Sequence, residues 1–180
     1  MSGGVEIREP MSEQEIDAVA RLWCITFNDL ATHVDDELDR WYKVDEARED
    51  SKLKLSGESK DILTLVAVRE GEILGAISGY RRRASDRLVD LEIMAVENNQ
   101  RNRGVGRNLV QAFMEVCTSN RIKAIHFDTA ELPEQGGAVK FWDHLSSNLP
   151  IKKKGVEVYE DGESGKNGVY YKIQLRGNTW

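Results

Sequence analysis

The stretch Leu91-Glu92-Ile93-Met94-Ala95-Val96-Glu97-Asn98-Asn99-Gln100-Arg101-Asn102-Arg103-Gly104-Val105-Gly106-Arg107-Asn108-Leu109 decides the fold. It begins as an apolar strand, crosses a polar loop from Glu97 to Arg103, and enters a helix through two glycines. Leu109, Val110, Phe113, Val116 and Cys117 recur at helical spacing and give the helix from Gly104 to Ser119 its core stripe. A strand feeding a helix through so short a loop is the unit from which α/β proteins are built.

Upstream, Val5-Glu6-Ile7-Arg8 alternates apolar and polar and stops at Pro10, a short first strand. Ser12-Glu13-Gln14-Glu15 reads as a capping box, with the serine on an orphan amide and Glu15 reaching back. Ile16, Val19, Ala20, Trp23 and Phe27 form the apolar stripe of the helix that follows. A second, acidic helix is expected from Asp35 to Leu55, with Leu38, Trp41 and Tyr42 inward and its carboxylates solvated. Ile62 to Val68 suits a strand covered on both faces; Arg69 to Glu72 is a turn and Ile73 to Tyr80 the returning strand. Arg81-Arg82-Arg83 marks a hairpin tip before the strand Leu88 to Val96. Downstream come a strand, Lys123 to Thr129, a helix, Gly137 to Leu145, and a closing hairpin of Val156 to Tyr159 with Val169 to Leu175 around Asp161-Gly162. Lys152-Lys153-Lys154 is expected in an exposed turn. Mixed element order with hairpins at both ends predicts an α/β fold: a mixed sheet sandwiched by helices, in one domain over residues 1–180.

The chain carries 31 acidic and 25 basic residues, a formal net charge of −6. That balance argues against nucleic acid or an anionic membrane as partner, since both favour basic surfaces. Met1 to Glu15 is too polar for a secretory segment, and Ile62 to Val68, the longest strongly apolar run, is too short to span a bilayer. Cys24 and Cys117 fall inside helical patterns and read as reduced core thiols, so the cytoplasm is the expected address. His33, His126 and His144 show no metal-ligand spacing; structural or surface roles and no metal are expected.

Glycines at a helix start let a ligand approach the backbone, because no Cβ intrudes. The first amides of the helix lack intrahelical acceptors and carry the positive end of the dipole, which favours an anion. Arg101, Arg103 and Arg107 add three cations, so a phosphate-bearing ligand is the natural occupant. A Walker loop needs Lys-Ser or Lys-Thr after its last glycine, and none is present. The dinucleotide fingerprint needs a small sixth residue where Leu109 stands, and a kinase glycine loop lies between strands rather than before a helix.

Arg101-x-x-Gly104-x-Gly106, after the apolar run Ile93-Met94-Ala95-Val96, resembles the Gln/Arg-x-x-Gly-x-Gly/Ala motif of the GNAT superfamily of acyl-CoA N-acyltransferases. Gln135-x-x-Ala138-x-x-Phe141-Trp142 is similar to that family's Asn-x-x-Ala-x-x-Phe-Tyr helix. The resemblance implies a mostly antiparallel mixed sheet, flanked by helices on both faces, whose parallel central strands, Leu88 to Val96 and Lys123 to Thr129, splay apart. It implies acetyl-CoA or coenzyme A as cosubstrate, its pyrophosphate held by Arg101, Asn102, Arg103, Gly104, Val105, Gly106 and Arg107. The pantetheine arm would lie along Met94, Ala95 and Val96, with Gln135, Phe141 and Trp142 also on the coenzyme side. An amine, cationic in one reading, would attack the thioester directly, with Asp90 or Glu92 as base or water relay. Those two carboxylates stand two apart on one strand and so share a face. Trp142 stands where many relatives carry a tyrosine acid, and an indole N–H is not a useful acid; Tyr170, Tyr171, His144 or water are the alternatives. The alternative function is a non-catalytic acyl-CoA-binding sensor or partner module. A homodimer is compatible with either.

Overall fold

The computed structural model describes residues 4–31, 62–81, 87–131, 137–158 and 167–175. The expected acidic helix from Asp35 to Leu55, Gln135 and the turn at Asp161-Gly162 lie outside these residues. In chain order the elements are β1 (Glu6–Arg8), α1 (Glu13–Ala31), β2 (Ile62–Arg69), β3 (Glu72–Arg81), β4 (Leu88–Val96), a single 3-10 turn (Asn98–Gln100), α2 (Val105–Ser119), β5 (Ala124–Glu131), α3 (Gly137–Ser146), β6 (Ile151–Val158) and β7 (Asn167–Gln174). The strands form one mixed sheet in the order β1-β2-β3-β4-β5-β7-β6, with β4 and β5 parallel. The chain divides into two compact units, residues 1–80 with 92–113, and residues 81–91 with 114–180.

In the first unit, β2 and β3 join through Glu70 and Gly71, whose φ angles of 52° and 85° are both positive. That is the twist a two-residue hairpin needs, and glycine supplies half of it without strain. Thr64 to Val68 are all buried, as a strand covered on both faces requires. Thr64 and Ser78, paired in register, share a hydroxyl–hydroxyl hydrogen bond of 2.8 Å, so these two buried hydroxyls satisfy one another. Val19, Leu22 and Trp23 of α1 pack on Val66, Val68, Ala76, Ile93 and Ala95, burying one face. Val105 and Leu109 of α2 stand over Gly75, the neighbour of Ala76, and therefore over the opposite face.

The start of α1 is built as its sequence suggests, with one difference. The Ser12 Oγ accepts from the Glu15 amide at 3.2 Å, but the Glu15 carboxylate reaches past the cap to the Met11 amide at 2.7 Å. The reason is Arg8 at the end of β1, whose guanidinium grips both carboxylate oxygens at 2.7 and 2.9 Å and draws the side chain outward. The Arg8 hydrogen bond is the largest effect on the Glu15 carboxyl and holds it below its ordinary 4.5; burial opposes it, and the Met11 amide adds a smaller lowering. A depressed carboxyl contributes stability above its unfolded-state pKa and loses it as pH falls through the folded value. Glu15→Gln is therefore expected to lower the thermal midpoint at pH 7, with the gap from the parent shrinking towards pH 3. An equal gap at both pH values, in parallel melts, would show that the charge is not what holds β1 to α1.

In the second unit, β7 lies between β5 and β6, and β6 is the sheet's edge. Lys152, Lys153 and Lys154 are not a turn but the opening residues of β6, which starts at Ile151 and pairs Ile151 with Ile173 and Lys152 with Lys172. An edge strand has water along one side, so consecutive lysines cost it little, and together with the register shift between Lys153 and Gly155 they discourage pairing with another chain. Cys24 and Cys117 are free and buried; burial pushes the Cys117 thiol up to about 12, which leaves it no nucleophilic role near neutrality. Among the described residues no helix is long and apolar enough to cross a membrane, and no cluster of three His, Cys, Asp or Glu side chains could hold a metal ion.

Candidate active site

β4 ends at Val96, and the next amide, Glu97 N–H, donates to the Leu74 carbonyl at 3.0 Å, which fixes where the loop leaves the sheet. The chain then makes one 3-10 turn, closed by Gln100 N–H on the Glu97 carbonyl at 2.8 Å. Two left-handed residues follow, Asn102 at φ 60° and Gly104 at φ 84°. The Gly104 carbonyl accepts the first bond of α2, from Asn108 N–H at 3.0 Å, so Gly104 is the N-cap. A glycine cap brings no side-chain oxygen, and the amides of the first turn keep their donors for another acceptor. Among the described residues beyond its chain neighbours, no atom approaches within 4 Å of the position its Cβ would take. Gly104 is thus required by its backbone angle and leaves open space above the helix start.

The arginines divide their work. Arg101, Arg103 and Arg107 are all exposed, beside exposed Asn102. Arg101 turns its Nε back onto the Val96 carbonyl at 3.2 Å and so ties the loop to the strand end as well as adding charge. Val105 and Gly106 are buried under the turn, and Met94 and Val96 are half-buried on either side of buried Ala95.

Gly75, a residue the sequence reading passed over, supports this arrangement from below. A Cβ there would lie 2.9 Å from the Ala95 carbonyl oxygen, 3.1 Å from Leu109 and 3.3 Å from Val105. Only glycine lets β3 lie this close to the strand end and the first turns of α2. Its signal was a glycine inside a strand pattern, which marks close backbone approach.

Along β4, burial alternates: Val89, Leu91, Ile93 and Ala95 are buried, Asp90 is half-buried and Glu92 exposed. Asp90 and Glu92 therefore share a face, and each already makes a polar or electrostatic contact. The recorded ladder between β4 and β5 runs from Leu88↔Ala124 to Asp90↔His126, three pairs in all.

Phe141 and Trp142 lie on α3 in the second unit, Phe141 half-buried and Trp142 only 5% exposed. The Trp142 ring centroid is 4.2 Å from Phe127, 5.0 Å from Phe141 and 6.4 Å from Tyr171. Among the alternative acids, the Tyr171 hydroxyl donates to Asp143 Oδ1 at 3.0 Å, committing its proton, and His144 is exposed in the last turn of α3.

A seven-stranded mixed sheet, whose central carboxylate-bearing strand runs into a glycine-capped, arginine-ringed helix start, defines an α/β protein. The model of the acetyltransferase (GNAT) family matches residues 18–145, well over half of the chain, and this protein belongs to that family. No sequence among curated proteins matches it. Several solved structures share its fold. A GNAT-family protein from Desulfovibrio desulfuricans is 15% identical at TM-score 0.75, over 96% of this chain and 100% of that one. An aminoglycoside 6′-N-acetyltransferase complexed with coenzyme A is 14% identical at TM-score 0.72, over 97% and 99%. The ribosomal-protein-S18-alanine N-acetyltransferase of Escherichia coli is 9% identical at TM-score 0.65, over 98% and 99%.

Proposed function

We propose that this protein moves an acetyl group from acetyl-CoA to an amine. The observation that carries the reading is the glycine-capped start of α2 at Gly104, ringed by Arg101, Arg103 and Arg107, in a chain of this family. The loop from Arg101 to Arg107 would hold the pyrophosphate, and the backbone of Met94 to Val96 the pantetheine arm. The Val96 amide would face the thioester oxygen as negative charge develops there. An alkyl amine is mostly protonated near pH 7 and cannot attack until it loses that proton. Asp90, or Glu92 on the same strand face, would accept it directly or through water. The structural relatives include enzymes named for an aminoglycoside and for an alanine of a ribosomal protein, and with a net charge of −6 they favour a cationic acceptor.

A second reading, an acyl-CoA-binding module without turnover, draws on the absence of a phenol at Trp142 and on the committed proton of Tyr171. Thiol release from acetyl-CoA across a panel of polyamines, aminoglycosides, lysine and peptide N-termini separates the two. Turnover on any of them supports the enzyme; tight acetyl-CoA binding without turnover on all of them supports the module. With an acceptor in hand, the double variant Asp90→Asn/Glu92→Gln is expected to lose ~100-fold or more in rate at pH 7, the scale of a lost proton-transfer group. The loss should be smaller at pH 9, where free amine is more plentiful. Equal losses at the two pH values would assign these residues to positioning.

A further inference from the structure

Read across the strands of the second unit, the ladders bring four titratable side chains to one level. Asp90 on β4 is the register partner of His126 on β5, His126 of Lys172 on β7, and Lys172 of Lys152 on β6. Register partners point to the same face of a sheet. The neighbouring rows on the opposite face are apolar: Val89 with Ile125, Ile125 with Ile173, and Phe127 with Tyr171, all buried. The row of charge therefore lies on the face opposite these core residues. His126 is half-buried with its Nε2 atom inside, flanked by a carboxylate on one side and an ammonium on the other.

We propose that His126 acts through Asp90 as a relay and positioning residue, so that the two form one proton-accepting pair. The proposal rests on the acetyltransfer reading above. Asp90 takes the proton from the substrate ammonium, leaving a neutral amine and a carboxylic acid. The acid passes the proton to the neutral imidazole, which restores the carboxylate and leaves an imidazolium. The imidazolium then releases its proton to solvent, and the pair is ready for the next acceptor. Imidazole suits this work because it gains and loses a proton near neutrality. Its neighbours oppose one another in effect: Asp90 favours the imidazolium, and Lys172 disfavours it and speeds release. Further along the same face, Asp128 stands two residues along β5 and Glu92 two along β4, with Lys152 beyond Lys172. Helix α3 packs on the opposite face, where Trp142 meets Phe127.

The test uses the whole protein, acetyl-CoA and an amine on which the parent turns over. His126→Gln keeps a polar side chain that does not titrate and is expected to lower kcat at least ~10-fold at pH 7, towards the low end of a general-base loss. The loss should shrink at pH 9, and the KM for acetyl-CoA should stay unchanged. Added imidazole should raise the rate of His126→Ala. Lys172→Gln removes the opposing cation, so the rising limb of its pH–rate profile should move to higher pH, a readout that remains if both His126 variants fold poorly. An unchanged kcat in His126→Gln, an equal loss at both pH values without imidazole rescue, or an unmoved profile in Lys172→Gln overturns the proposal. Failure of the acetyltransfer reading itself would show in the parent alone, as no turnover on any amine.

Discussion

Replacing Trp142 by alanine is expected to lower the unfolding free energy by about 3–5 kcal/mol, the range for emptying a large buried aromatic site. The indole is buried among Phe127, Phe141 and Tyr171, so its removal forfeits both burial and three ring contacts. Urea unfolding with and without saturating acetyl-CoA checks this. The loss should appear in both, because the ring sits in the apolar interior of the second unit. Trp142→Phe keeps most of the ring area and should cost far less, with turnover close to that of the parent. A drop of ~100-fold in the Phe variant would show that the indole N–H takes part in proton transfer after all. A loss under ~1 kcal/mol in the Ala variant would show that the cluster repacks around the gap.

Replacing Gly104 by valine should raise the acetyl-CoA dissociation constant by roughly 10- to 100-fold, the equivalent of the 1–3 kcal/mol carried by a strained backbone angle. The cause is the φ of 84°, which a β-branched residue adopts only under strain; the space for a Cβ is open. Strain and blocked ligand approach are separated by Gly104→Asn. Asparagine tolerates the left-handed region, and its carboxamide can cap the amides that the phosphate would otherwise use. The Asn variant is expected to melt near the parent yet bind acetyl-CoA weakly. Parent-like affinity in a folded Asn variant, measured by calorimetry, would remove the pyrophosphate from this helix start.

Local chemistry explains why so much of the fold was legible in advance. Leu88 to Val96 reads as a strand because its alternating residues have one apolar and one polar face, and the strand observed has those same ends. The helix after it needs no tertiary help to be recognised, since Gly104 to Gly106 starts it and a 3.6-residue stripe continues it. The helix start proposed for the pyrophosphate is equally local, being made of backbone angles, amides and arginines within seven consecutive residues. The capping box at Ser12 is another short-range feature, and only the reach of Glu15 to Met11 departed from it, because its partner Arg8 stands on another element.

What the chain alone left open depends on partners distant in sequence. Lys152 to Lys154 carry no strand signal, and they extend because β7 offers them a ladder while their other side meets water. Trp142 by itself is a motif position; its burial comes from Phe127 and Tyr171, 15 and 29 residues away, packing on the same helix face. Gly75 is an unremarkable strand glycine until α2 and the Ala95 carbonyl close over it. His126 read as a scattered histidine, since no spacing rule links it to Asp90, 36 residues earlier. Side-chain periodicity determines which face a residue takes, but register across a sheet is set by the non-local pairing of whole strands, and that pairing alone placed an imidazole beside the carboxylate.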